Sequence, residues 1–116
     1  MSHRIFTTSV TSVWPHYVSK VERKGRTQQE LVEVTTWLTG YDAAELQRHL
    51  DQESTFEEFF AGATLPPETE LITGSVCGVK VQEVEDPLMR RIRYLDKLVD
   101  ELAKGRPLAK VIRSAS

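Results

Sequence analysis

Three short stretches constrain this chain more than anything else in it: Thr27-Gln28-Gln29-Glu30, Asp42-Ala43-Ala44-Glu45 and Thr55-Phe56-Glu57-Glu58. Each sets a hydroxyl or carboxylate three residues ahead of a glutamate, the capping-box form in which two side chains satisfy orphan amides at a helix start. Apolar residues accompany each at helical spacing: Leu31, Val34 and Leu38, then Leu46 and Leu50, then Phe56, Phe59 and Phe60. Helix starts this close together leave no length for strands between them. The spacing predicts one helix from Thr27 to about Thr39, ended by Gly40, a second from Asp42 and a third from Thr55.

Ahead of them, Val13, Trp14, Tyr17, Val18 and Val21 recur at one-, three- and four-residue steps, the period of an amphipathic helix. Thr11 or Ser12 is the expected cap, with Pro15 in the first turn and Gly25 closing the helix after Arg23 and Lys24. Downstream, Leu65-Pro66-Pro67 stops helical structure, because two prolines remove successive donors. The period then changes to that of strands. Leu71-Ile72-Thr73 and Val76-Cys77-Gly78-Val79-Lys80-Val81 are β-branched runs, and Gly74-Ser75 between them suits a two-residue hairpin turn. That register sets Ile72 opposite Cys77 and Leu71 opposite Gly78.

Asp86 and Pro87 form a cap and first-position pair, and the segment that follows runs to Lys104 before Gly105, the longest helix in the chain. Pro107 opens a last short turn anchored by Leu108, Val111 and Ile112. The expected fold class is α+β and predominantly α: five or six short helices around one core, with a small β-hairpin before the longest helix. With 116 residues and no internal repeat or long linker, residues 1–116 are expected to form a single domain with a radius of gyration of roughly 13 Å.

In the longest helix Leu88, Ile92, Leu95, Val99 and Leu102 step by 4, 3, 4 and 3, the spacing of a coiled-coil seam. Two heptads are short for a coiled coil. Two expectations therefore stay open for this ridge: it packs on the chain's own core, or it is also the seam of a homodimer.

Net charge changes sign along the chain, +4 over residues 1–26, −9 over 27–70, −2 over 71–86 and +5 over 87–116. Such stripes can neutralise each other within one fold or between two copies. Arg90, Arg93 and Lys97, continued by Lys104, Arg106, Lys110 and Arg113, form the one basic face to weigh for anions or nucleic acid. Asp96, Asp100 and Glu101 interrupt it, which favours a solvated, ion-paired face. Residues 27–50 can be drawn as a helix-turn-helix, but its reading helix would open with Asp42 and Glu45 inside the most acidic segment. Phosphate repulsion opposes that docking, so nucleic acid is a disfavoured partner.

Chemistry-bearing residues are few. Cys77 is the one cysteine, and nothing adjacent in sequence would favour its thiolate; a small buried apolar group is the commoner role for such a residue. His16 and His49 could join it only through the fold. The histidines at 3, 16 and 49 show no zinc-ligand spacing, and no metal or cofactor is expected. Thr73-Gly74-Ser75 with Gly78 resembles a phosphate-cradling loop only weakly, since neither a Lys-Ser/Thr pair nor a helix start follows. No run reaches the length of a membrane span, no apolar stretch follows Met1-Ser2-His3-Arg4, and a lone cysteine suits a reducing compartment, so a cytoplasmic address without membrane contact is expected.

The runs His3-Arg4-Ile5-Phe6-Thr7, Trp14-Pro15-His16-Tyr17-Val18, Glu22-Arg23-Lys24-Gly25-Arg26-Thr27 and Trp37-Leu38-Thr39-Gly40-Tyr41-Asp42 together resemble a small bacterial family, domain of unknown function 2200. The likeness continues through Phe56 to Phe60, Leu71-Ile72-Thr73-Gly74, Cys77-Gly78-Val79, Glu85 to Met89 and Ile92 to Gly105. It departs at Ser75, where the family often carries an apolar residue, and at Pro66-Pro67, where it has Asn-Pro. The resemblance implies no activity and supplies no catalytic residues. The leading expectation is a non-catalytic protein that acts through protein contacts, as a homodimer through the hairpin edge or the longest helix. The alternatives are a small enzyme or ligand-binding protein with a pocket near Cys77, and nucleic-acid binding through the basic C-terminal face.

Overall fold

The three capping boxes form as written. In the computed structural model, which describes residues 4–76 and 78–112, the side chains of Thr27, Asp42 and Thr55 accept from the amides of Glu30, Glu45 and Glu58. Each glutamate returns a bond to the cap amide, at 3.1, 3.0 and 2.9 Å. They open α2 (Gln28–Thr39), α3 (Ala43–Asp51) and α4 (Phe56–Ala61). Gly40 ends α2 in the left-handed region at φ 76°.

The first helix begins earlier than its sequence suggests. α1 spans Val10–Glu22, with Ser9 as its cap and Pro15 six residues in. Long-range pairing sets this start: Ser9 bridges Thr55, the Val10 amide donates to Ser54 O at 2.8 Å, and the Phe56 amide donates to Thr8 O at 3.1 Å. These bonds fix the backbone at residues 8–10 before Thr11 or Ser12 can act as a cap. A 3₁₀ turn at Arg4–Thr7 precedes it.

The hairpin lies where expected, but its register differs. β1 (Ser75–Val76) pairs antiparallel with β2 (Val79–Lys80), with Ser75 opposite Lys80 and Val76 opposite Val79. The chain therefore reverses between Val76 and Val79, not at Gly74-Ser75, and Leu71 belongs to a 3₁₀ turn at Pro67–Leu71. Gly74 has another task. Its carbonyl accepts from Val81 at 3.0 Å, its amide donates to Gln82 Oε1 at 3.0 Å, and a Cβ there would sit 3.2 Å from the Lys97 side chain. Its φ of 105°, a backbone conformation strained for residues with a side chain, is what calls for glycine here.

After a third 3₁₀ turn at Val81–Glu83, α5 (Pro87–Ala103) opens with Asp86 capping the Met89 amide at 2.9 Å. α6 (Leu108–Val111) closes the described chain. α5 is the central strut and packs against α1, α2, α4, α6 and β1. Ile92, Leu95, Val99 and Leu102 are buried in one continuous apolar cluster with Val10, Trp14, Leu31, Leu38, Phe56 and Phe59, and Leu88 is half-buried beside it. The ridge is thus consumed by the chain's own core, an arrangement worth about 1.5–3 kcal/mol for each such side chain removed from water. The Cα radius of gyration is 13.2 Å. No described helix is long and apolar enough to cross a membrane.

Candidate functional site

α1 and α5 lie side by side and run in the same direction. Val13 near the start of α1 shares a cavity wall with Met89 and Ile92 near the start of α5. Further along, Tyr17 meets Asp96 and Lys20 meets Asp100. The reason is helical arithmetic: Val13, Tyr17, Lys20 and Lys24 form one stripe, as do Met89, Arg93, Asp96, Asp100 and Lys104, at three- and four-residue steps beside the buried face of each helix. The two stripes brought together make a groove that is apolar at its Val13–Met89 end and charged at its Lys20–Asp100 end.

The C-terminal part of this groove holds a cavity of about 690 Å³, lined by His16, Ser19, Lys20, Arg23, Lys24, Asp100, Ala103 and Lys104. Asp100 is clamped from both sides, by Lys20 Nζ at 3.3 Å and Lys104 Nζ at 3.0 Å. Burial pushes its carboxyl up, but hydrogen bonds from Lys104 and Lys20 outweigh that and leave it below the ordinary carboxylate range. Arg23 donates to Ser19 Oγ at 3.4 Å, so the hydroxyl in the lining rests against a cation and not against a base.

Charge decides what this cavity can accept. Four cations face one carboxylate, and both α1 and α5 end beside it, each contributing about half a negative charge from its terminal carbonyls. Roughly two positive charges remain unneutralised. Basic residues at a helix C-terminus ordinarily do no more than complement that dipole, but here they exceed it.

One turn back along the groove stands a second polar pair. Tyr17 donates to Asp96 Oδ1 at 2.7 Å and Arg93 to Asp96 Oδ2 at 3.3 Å. Burial dominates and pushes the Asp96 carboxyl above its ordinary range, against the Tyr17 bond and the Arg93 and Lys20 charges. A chamber of about 190 Å³ lined by His16, Tyr17, Lys20, Val76, Asp96 and Val99 shares His16 and Lys20 with the larger cavity.

The residues singled out in sequence distribute unevenly over this map. His16 enters the groove. His49 does not: its Nδ1 lies 2.8 Å from Ser54 Oγ and its ring packs on Tyr41 and Phe59, a structural role. Cys77 lies outside the described residues, although its buried neighbour Val76 lines the small chamber. The basic-face residues are occupied within the fold. Arg90 donates to Gln82 O at 2.6 Å, Arg93 to Asp96, and Lys97 to Ser75 O at 3.3 Å while it pairs with Glu101 at 3.8 Å. Arg106 also reaches Glu101, at 3.3 Å, and Lys104 faces the groove. Lys110 is exposed, and Arg113 lies outside the described residues. The Gly74 amide is spent on Gln82, so the glycine-rich turn offers no free amide at that position for a phosphate. No three His, Cys, Asp or Glu side chains among the described residues converge as a metal set would.

Sequence reasoning missed Tyr17, Lys20, Lys24, Asp96 and Asp100 as a set. Their stripes are visible along each helix, but nothing local reveals that positions some eighty residues apart are neighbours.

Comparison with known proteins adds kinship without chemistry. The crystal structure of uncharacterized protein SP1917 superposes with a TM-score of 0.91 at 40% sequence identity, covering 100% of this chain and 98% of that one. No curated protein matches. Residues 4–113 match the family described as "Uncharacterized protein conserved in bacteria (DUF2200)", and the chain belongs to that family.

Proposed function

We propose that this chain is a non-catalytic binding protein, one domain of cytoplasmic address, whose ligand is a small anion held in the α1–α5 groove. One observation carries the reading: Lys20, Arg23, Lys24 and Lys104 face a single carboxylate in the cavity of about 690 Å³. Lys20 and Lys104 are already fixed by Asp100, which leaves Arg23 and Lys24, both exposed, to close on the ligand. Cations gathered around one cavity favour charge-assisted bonds to oxyanions. Calorimetric titration with inorganic phosphate at low ionic strength tests it. Saturable binding that weakens with salt and disappears in the Arg23→Ala, Lys24→Ala double variant is the expected result. Equal binding by the double variant, or none by the parent at millimolar phosphate, contradicts it.

Self-association is a second reading, now without the α5 ridge as its seam. What supports it is the −9 carried by residues 27–70, which complements the basic groove of another copy in a head-to-tail contact. Light scattering that reports a monomer at high concentration in both low and high salt excludes it.

A further inference from the structure

We propose that the anion is the phosphate of a short hydroxylated molecule, a polyol or sugar phosphate, with its phosphate among Lys20, Arg23, Lys24 and Lys104 and a hydroxyl donating to Asp96. The inference rests on the anion-binding reading above and adds to it the class of the ligand.

Three features of the groove point to that class. First, about two net positive charges at the outer cavity match a phosphate monoester, which carries −1.5 to −2 near neutral pH, better than a single carboxylate. Second, Asp96 has acceptor capacity to spare. Its two oxygens take one bond each from Tyr17 and Arg93, whereas a carboxylate has about four lone-pair sites. It lines the chamber of about 190 Å³, so a ligand donor there meets a side chain already oriented by two partners.

Third, the two compartments are set at a defined spacing. Asp96 and Asp100 are one helical turn apart, roughly 6 Å along α5, and the chamber and cavity have His16 and Lys20 as common walls. At about 30 Å³ per water-sized group, the chamber takes on the order of six non-hydrogen atoms. That is the size of a three-carbon polyol. Val76 and Val99 in its lining offer apolar contact to the carbons of such a chain.

Titration of the whole chain with three probes tests the inference: inorganic phosphate, glycerol 3-phosphate and glycerol. Glycerol 3-phosphate is expected to bind about tenfold or more tighter than inorganic phosphate, the effect of one further charge-assisted hydrogen bond, and glycerol alone not to bind measurably. In Asp96→Asn the advantage of glycerol 3-phosphate over inorganic phosphate is expected to fall below about threefold. Equal affinities for the two phosphates in the parent chain overturn the inference and leave the anion reading standing. Absence of binding by both overturns the two together. The comparison of probes in the parent chain decides the matter even where Asp96→Asn fails to fold.

Discussion

Arg26 shows how one side chain can tie the two ends of this chain together. Its guanidinium, 14% exposed, holds Glu30 through Nε and one terminal nitrogen, the latter at 2.6 Å, and its other terminal nitrogen donates to Leu102 O at 3.2 Å and Arg106 O at 2.7 Å. The carbonyl end of α5 is thereby satisfied from α2's doorstep. Arg26→Ala is expected to cost about 1–3 kcal/mol in denaturant unfolding, since a part-buried fork of charged hydrogen bonds is lost. Arg26→Lys is expected to recover less than half, because an ammonium cannot span both partners. Acid adds a second check. The Arg26 bond holds the Glu30 carboxyl below its ordinary range, so its contribution is present above that range and disappears as pH falls through the depressed value. The stability gap between the parent and Glu30→Gln should be widest near neutral pH and close on acidification. Asp96 runs the other way: with its carboxyl raised, stability it contributes at low pH is lost as pH rises, so Asp96→Asn should gain on the parent toward neutrality.

At the scale of the element, helix ends carry the specification. Thr55→Ala removes one partner of the α4 box and is expected to cost about 1 kcal/mol. Gly40→Ala should be worse, because φ is 76° and the added Cβ would lie 2.7 Å from Thr64 O, a backbone atom; a loss of more than about 1 kcal/mol in thermal or denaturant unfolding is expected. These ends were legible because a cap is a contract between residues three apart. Elements whose limits depend on distant partners were not. α1 begins where Ser9 meets Thr55, a contact that no local pattern announces, and Pro15 made the true start look too early. The hairpin has two residues per strand, so alternation had nothing to average over, and the Gly-Ser pair outweighed the reversal between Val76 and Val79 on composition alone. The groove was hidden for the same reason as α1's start. Tyr17, Lys20, Asp96 and Asp100 read as unremarkable amphipathic borders until the two helices are laid parallel.

For the whole molecule, α5 at the centre of one cluster makes its parts interdependent. Leu98, fully buried on that helix, should cost about 2–5 kcal/mol as Leu98→Ala. Unfolding is expected to be one transition, with fluorescence and far-ultraviolet circular dichroism coincident, as for a single cooperative domain. The same centrality fixes the groove: α1 and α5 cannot separate without opening the core, so the backbone that carries its cations is held in place whether or not a ligand is present. That standing excess of positive charge is the central claim. Its most direct test is the pattern of backbone amide shifts in a two-dimensional nitrogen–proton spectrum as inorganic phosphate is added at low salt. The account predicts saturable shifts confined to residues 16–24 and 100–104, abolished by the Arg23→Ala, Lys24→Ala double substitution. Shifts spread evenly over the basic surface, or centred elsewhere, would contradict it.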